Sequence, residues 1–157
     1  PEQFDALTAQ LRAAHLVRTA GARQKDSIVA YHDRVRESIL ANLPKDACTA
    51  WHNRLAVALE GAGAVDQEAL VLHWQEAGQP ERAAGYAVRA ADQAAAALAF
   101  ARAASLYRQA LELHPPSGAA RCLLLAKLGS ALTNANRGAE AAPVFLAAAA
   151  DAGITGR

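Results

Sequence analysis

This chain of 157 residues has no methionine, only two cysteines, few aromatic residues and almost no net charge, and each shortage narrows what it can be. Cys48 and Cys122 stand alone, without paired spacing, which excludes a disulfide framework or a cysteine zinc site and reads as two reduced thiols in a cytosolic protein. A formal net charge of +1 argues against electrostatic capture of nucleic acid or of an anionic membrane. No apolar run approaches the roughly 18 to 20 residues of a membrane span, and none reads as a signal peptide. The alanine-rich stretch Ala94 to Ala99 is interrupted on its flanks by Asp92, Gln93 and Arg102. Beginning at Pro1 and lacking any methionine, the chain reads as a piece of a longer protein.

Alanine is what the chain has in excess, 43 residues of it. Alanine is the best helix former and the smallest side chain that still buries apolar surface, so the composition predicts closely packed helices. In LAFARAASLYRQALELHP, residues 98 to 115, Ala103 and Ala110 share a helix face with Tyr107 between them. The small residues admit a neighbouring helix, the ring fills the gap, and Pro115 closes the helix. The same signature returns 38 residues later as Ala141, Phe145, Ala148 and Ala149, preceded by Leu125, Leu128, Gly129 and Leu132 on the helix before it. Both copies resemble tetratricopeptide repeats, which implies an α-solenoid that binds a partner and carries no chemistry of its own.

Along the chain, Phe4, Leu7 and Leu11 give a short amphipathic helix to about Ala14. Leu16, Val17 and Thr19 lead to Gly21, and a polar tip of Arg23, Gln24, Lys25 and Asp26 precedes Ser27 to Tyr31, rich in β-branched and aromatic residues, so a small hairpin is expected. Asp33 offers an N-cap to a helix through Val35, Ile39 and Leu40 that stops before Pro44. Helix, wing and helix over 1–43 read as the back half of a winged-helix domain, and 44–157 as helical repeats. In the first helix of that second part Ala47, Trp51, Leu55 and Leu59 share one face, with Gly61 and Gly63 at its end. Asp66, Gly78 and Pro80 punctuate the next helices, and Pro143 falls either inside the last helix or at its true start. The fold class expected is mainly α, a helical solenoid behind a partial winged helix with a small β-hairpin.

The order of parts, with YHDRVRESIL, PKDACTAWHNRLAVALE and ALVLHWQEAGQPERAAGYAVRAADQA, resembles the region behind the ATPase module of bacterial STAND-class signalling ATPases. Such regions occur in multidomain Ser/Thr kinases, cyclases and transcriptional regulators. The resemblance implies a cytoplasmic, non-catalytic regulatory module with no cofactor in this segment, ATP or ADP being bound by an upstream ATPase domain of the parent chain. Tyr31, His32 and Asp33 resemble the family's MHD motif, with Tyr31 in place of methionine. There the histidine reaches the β-phosphate of ADP, so His32 and Asp33 are the nucleotide-sensing candidates, and only together with that upstream domain. By repeat register, the groove for a protein or peptide partner would present Val88, Asp92, Leu123, Ser130, Thr133 and Asn134.

Other chemistry has little to stand on. Residues 1 to 43 hold six Lys or Arg against five Asp or Glu, and the first helix shows Glu2, Asp5, Ala6 and Ala9 where a reader of base edges needs Arg, Asn or Gln. His15, His32, His52, His73 and His114 are scattered without a metal-binding spacing, His52 and His73 reading as half-buried helix residues beside Trp51 and Trp74. No nucleophile elbow or phosphate loop is present. Phe145 and Leu146 are expected to be partly uncovered, which implies self-association or further repeats. Two other functions fit the same segments: the arm of an ATP-dependent transcriptional regulator, and a simple adaptor.

Overall fold

Helix punctuation lies close to where caps and turn residues put it. The computed structural model describes residues 2–20, 27–62 and 66–153, and among these the chain forms eight helices and one two-stranded antiparallel sheet. None of these helices is long and apolar enough to cross a membrane. The chain divides into two units, Pro1–Cys48 and Thr49–Arg157.

The first unit holds α1 (Glu2–Ala13), β1 (Val17–Ala20), β2 (Ser27–Ala30) and α2 (Asp33–Asn42). α1 ends in a left-handed turn at His15, φ 57°, where the Leu16 N–H donates to the Leu11 carbonyl and the His15 N–H to that of Arg12, both at 3.0 Å. This Schellman closure satisfies the last carbonyls of the helix and aims the chain into β1. The strands pair Val17 with Ala30 and Arg18 with Val29, and the Tyr31 N–H donating to the Leu16 carbonyl at 2.9 Å extends the ladder. The expected polar tip, Gly21 and Arg23 to Asp26, lies outside the described residues. His32, not Asp33, holds the N-cap position of α2: its backbone is extended, its carbonyl accepts from the Val35 N–H at 3.0 Å, and Asp33 is the first helical residue. As a first-turn carboxylate Asp33 complements the helix dipole instead of capping it. No described residue of this unit is buried: Phe4, Leu7 and Leu11 are 63, 59 and 41% exposed.

α3 (Lys45–Gly61) begins just after Pro44, whose carbonyl accepts from the Cys48 N–H, and ends at Gly61 as expected, Gly63 lying outside the described residues. In the second unit it is followed by α4 (Gln67–Glu76), α5 (Pro80–Ala96), α6 (Phe100–Leu113), α7 (Gly118–Asn134) and α8 (Gly138–Asp151). Asp66 caps α4 through its carboxylate, which accepts from the Glu68 and Ala69 N–H groups, and Pro80 opens α5. Pro143 lies inside α8, which starts at Gly138, so the alternative start does not occur.

Each helix from α4 to α7 packs on its successor in the chain. Three connections share one device. Gly78, Leu98 and Asn136 take left-handed backbone at φ 71°, 61° and 60°, and each following N–H reaches back to Trp74, Ala94 or Leu132 over 2.8 to 2.9 Å. Schellman turns of this kind reverse the chain in few residues and set consecutive helices antiparallel. Alanine then lets them close up. Ala83, Ala84, Ala87, Ala90 and Ala91 of α5 are all buried, as are Ala103, Ala104, Tyr107 and Ala110 of α6. The α7–α8 contact depends on Gly129, where an added Cβ would fall 2.7 Å from two ring carbons of Phe145.

A second set of contacts skips one helix. Glu60 of α3 accepts from Arg82 and Tyr86 of α5, Glu68 of α4 pairs with Arg102 of α6, Asp92 of α5 with Lys127 of α7, and Arg108 of α6 with Glu140 of α8. The last three pairs span 34, 35 and 32 residues. Being exposed and screened by solvent, each contributes little to stability on its own. Their recurrence fixes the register of every helix against its next neighbour but one.

The core of α3 differs from the expected face. Trp51 and Leu55 are 52 and 46% exposed, while Ala56 is fully buried with Leu59 beside it, against Leu70, Trp74, Ala77 and Ala83. Of Trp51, Leu55 and Leu59, Leu59 alone packs on this core, and next to it Glu60 accepts from Trp74 and Tyr86.

Candidate functional site

Val88 and Leu123 meet. Val88 sits half-buried on α5 and Leu123 lies 61% exposed on α7, and both line one depression with Pro116, Ala120, Leu124 and the stem of Lys127. Further along the same two helices, Ser130 and Asn134 line a second depression with Ala95, Ala126 and Lys127, floored by Phe100 and Tyr107 of α6. Lys127 borders both, so the helices present a groove with an apolar end and a polar end.

Asp92 holds Lys127 in place. Its carboxylate receives the Lys127 ammonium at 2.8 and 2.9 Å and the Tyr107 hydroxyl at 2.5 Å. Burial raises the Asp92 carboxyl, but the hydrogen bonds from Lys127 and Tyr107 and the lysine charge outweigh it and leave it below the usual range. Tyr107 moves the other way: burial, then its bond to the Asp92 carboxylate and that negative charge, push the phenol up. Tyr107 therefore stays a proton donor, and Asp92 stays a charged acceptor. With Asp92 and Lys127 satisfying each other, the side chains left to meet a ligand are Val88 and Leu123 at one end and Ser130 and Asn134 at the other. Thr133 is turned elsewhere: its hydroxyl donates to the Gly129 carbonyl at 2.9 Å, and it is not among the residues lining either depression.

His32 and Asp33 lie in the first unit at the start of α2. The His32 ring packs edge-on to Tyr31 at 4.8 Å, Tyr31 in turn stacks on His15 at 5.7 Å, and the His32 side chain caps no backbone group of α2. That makes His15, Tyr31 and His32 one exposed aromatic row.

Two constellations escape the sequence. Glu60 accepts from the Trp74 indole at 3.0 Å and the Tyr86 hydroxyl at 2.6 Å, while the Arg82 guanidinium lies 3.6 Å from the Trp74 ring centroid and 3.3 Å from the carboxylate. The bond from Tyr86 to Glu60 raises the phenol, with burial and the carboxylate charge adding to it. His52 and His73, 21 residues apart, bring their Nδ1 atoms to 2.9 Å. Burial, and after it the neighbouring His52 ring, lowers the pKa of His73. No spacing rule finds either set, since both depend on how α3 lies against α4 and α5. For Lys127 the sequence does hold a signal: it follows Asp92 by 35 residues, close to the 38 residues that separate the Ala103 and Ala141 signatures.

Among the described residues no group of three or more His, Cys, Asp or Glu side chains could hold a metal ion. Comparison with protein-family models, with curated proteins and with solved structures finds no match to this chain.

Proposed function

We propose that the chain is a non-catalytic interaction and regulatory module of a larger bacterial signalling ATPase. On this reading α4 to α8 are tetratricopeptide-like hairpins, and the groove of α5 and α7 docks an extended segment of a protein partner. The observation that carries the reading is the set of ion pairs that join α4 to α6, α5 to α7 and α6 to α8, spaced 32 to 35 residues apart. In a closed bundle the helices share one centre, whereas a stack of repeated hairpins sets equivalent helices side by side once per repeat. The Schellman turns at Leu98 and Asn136, 38 residues apart like the Ala103 and Ala141 signatures, support it further. The groove's two ends suit a segment with one apolar side chain for Val88 and Leu123 and polar or backbone groups for Ser130 and Asn134.

Residues 1–43 are, on the same reading, the back half of a winged helix that couples the repeats to an upstream ATPase domain. An α1 whose Phe4, Leu7 and Leu11 are uncovered supports this, since such a face calls for another element to cover it. His32 and Asp33 then sense ADP in the parent protein, where a hydrogen bond from the imidazole to a phosphate contributes about 1.5–3 kcal/mol to the resting state. Unchanged ADP affinity and resting activity in His32→Ala parent protein would remove that role.

The docking claim is tested by selecting displayed peptides on the immobilised chain and re-measuring their affinities on variants. Leu123→Glu and Val88→Glu are expected to weaken the selected peptides at least about tenfold, because each sets a carboxylate where an apolar side chain of the peptide has to be buried. Leu146→Glu, on exposed α8 surface, leaves them unchanged. Peptides indifferent to the first two variants would place recognition elsewhere.

A further inference from the structure

Half of α3 has little to hold it. Ala56 is fully buried, Leu59 packs beside it and Glu60 is engaged by Trp74, Arg82 and Tyr86, so the C-terminal end of the helix is fixed. From Lys45 to Leu55 no residue is buried. Among the described residues that half makes one hydrogen bond to another helix, between His52 and His73 of α4, with the Nδ1 atoms 2.9 Å and the ring centroids 5.1 Å apart. The two nitrogens point almost directly at each other, so one ring donates its Nδ1–H and the other accepts with its lone pair.

We propose that His52 and His73 form a proton-operated latch, which holds the N-terminal half of α3 on α4 and releases it in mild acid. A first proton enters at Nε2 of the donor ring and leaves the bond in place, now charge-assisted. A second goes to Nδ1 of the acceptor ring. Two N–H groups then face each other across 2.9 Å and two cations share the contact, so the bond is lost. Burial, and after it the His52 charge, lowers His73 below its ordinary 6.5. The docked state is therefore favoured above pH 6.5 and loses ground below it, because the released ring takes up a proton that the docked ring refuses. No carboxylate among the described residues lies within ion-pairing distance of either ring to offset that charge. On α3, Cys48 precedes His52 by one turn, Arg54 lies over the exposed Trp51 ring, and Glu60 is taken by its own donors. On α4, Glu76 follows His73 by three residues and is exposed, and Glu68 is paired with Arg102. On α5, Arg82 is held by Glu60 and the Trp74 ring, and Arg89 lies over Tyr86. The latch is independent of the groove on α5 and α7.

The test is amide hydrogen exchange of the 157-residue chain across pH 7.5 to 5.0, read by mass spectrometry and corrected for intrinsic rates. Opening of residues 49–55, taken relative to α6, is expected to rise as pH falls through 6.5, by no more than about tenfold per pH unit, the limit for one proton taken up per opening. His73→Gln keeps a polar group for His52 to bond but cannot titrate, so its α3 exchange should stay level over the same range. His52→Gln should show a shallower rise than wild type, since burial still acts on His73 but the second charge is gone. Level exchange in wild type, or a rise of equal size in His73→Gln, would overturn the latch. Should His73→Gln fail to fold by circular dichroism, nuclear magnetic resonance of the wild-type chain decides. His73 should then titrate below 6.5, with the α3 amide shifts following the same midpoint; a His73 midpoint at or above 6.5, or α3 shifts with a different midpoint, refutes it.

Discussion

Replacing Glu60 by alanine removes one acceptor from three donors, and the cost can be built from where each donor is left. Trp74 is fully buried, so its indole N–H loses its partner with no solvent at hand, about 1–3 kcal/mol. Tyr86 is half-buried and its hydroxyl can turn to water, which limits that loss to about 0.5–1.5 kcal/mol. The Arg82 side chain is 48% exposed and keeps its place on the Trp74 ring, so its ion pair adds no more than about 1 kcal/mol. Glu60→Ala should therefore destabilise the chain by about 1.5–5.5 kcal/mol, and Glu60→Gln, which keeps a carbonyl acceptor, by about half of that. Urea unfolding followed by circular dichroism and tryptophan fluorescence measures both. A double-mutant cycle isolates the buried bond: in a Trp74→Phe background, where no indole N–H exists to be orphaned, Glu60→Ala should cost at least about 1 kcal/mol less. If Glu60→Ala costs under about 0.5 kcal/mol, or if the two changes simply add, Glu60 is not the anchor of α3 and the reasoning fails.

Gly129→Ala drives a methyl into the Phe145 ring and should cost about 1–3 kcal/mol in thermal unfolding despite the better helix propensity of alanine, with Phe145→Leu restoring part of it; a stabilised Gly129→Ala protein would contradict the α7–α8 packing. Leu98, at φ 61° and 73% exposed, has strain and no burial to lose, so Leu98→Gly should stabilise by about 0.5–1 kcal/mol, and a loss of stability would show that the side chain is held by something unseen. Tyr86 and Tyr107 both have phenols raised above the ordinary value of 10.0, so their contribution is present below pH 10.0 and declines as pH rises past it; spectrophotometric titration should show these two ionising late, and Tyr107→Phe should flatten the alkaline limb of the stability curve. Asp92, lowered from 3.8, acts in the opposite direction: its stabilisation is present above that pH and is lost on acidification, a loss absent in Asp92→Asn and measurable by acid titration of the melting temperature.

Helix limits in the second unit were legible because the chain marks them chemically: Asp66 with its carboxylate cap, Pro80 at the first turn, Gly78 in a left-handed stop. Leu98 and Asn136 make the same stop without glycine, so the turns they form carry a weaker mark. The buried face of α6 followed from alanine spacing, since small residues recurring every three or four positions have few other uses. The same logic misplaced the inward face of α3. Apolar spacing favours Ala47, Trp51, Leu55 and Leu59; Leu59 does pack on the core, but Trp51 and Leu55 are exposed, and Ala56 and the Glu60 carboxylate face inward. Apolar periodicity cannot register a polar anchor whose partners lie 14 and 26 residues away. At the groove, register places Val88 opposite Leu123 and Ser130 near Asn134, whereas Tyr107 read only as a gap-filling ring and its hydroxyl bond to Asp92 was invisible. His52 and His73 escaped for a like reason: each looks ordinary alone, and the pair exists only once two helices have packed.

The most direct test of the account is a nuclear magnetic resonance titration of the isotope-labelled chain with a selected peptide. Docking in the groove predicts shifts concentrated on Val88, Leu123, Lys127, Ser130 and Asn134, with residues of α1, α2 and the outer surface of α8 unmoved. Shifts centred on α1, or on Phe145 and Leu146, with those five positions silent, would contradict it.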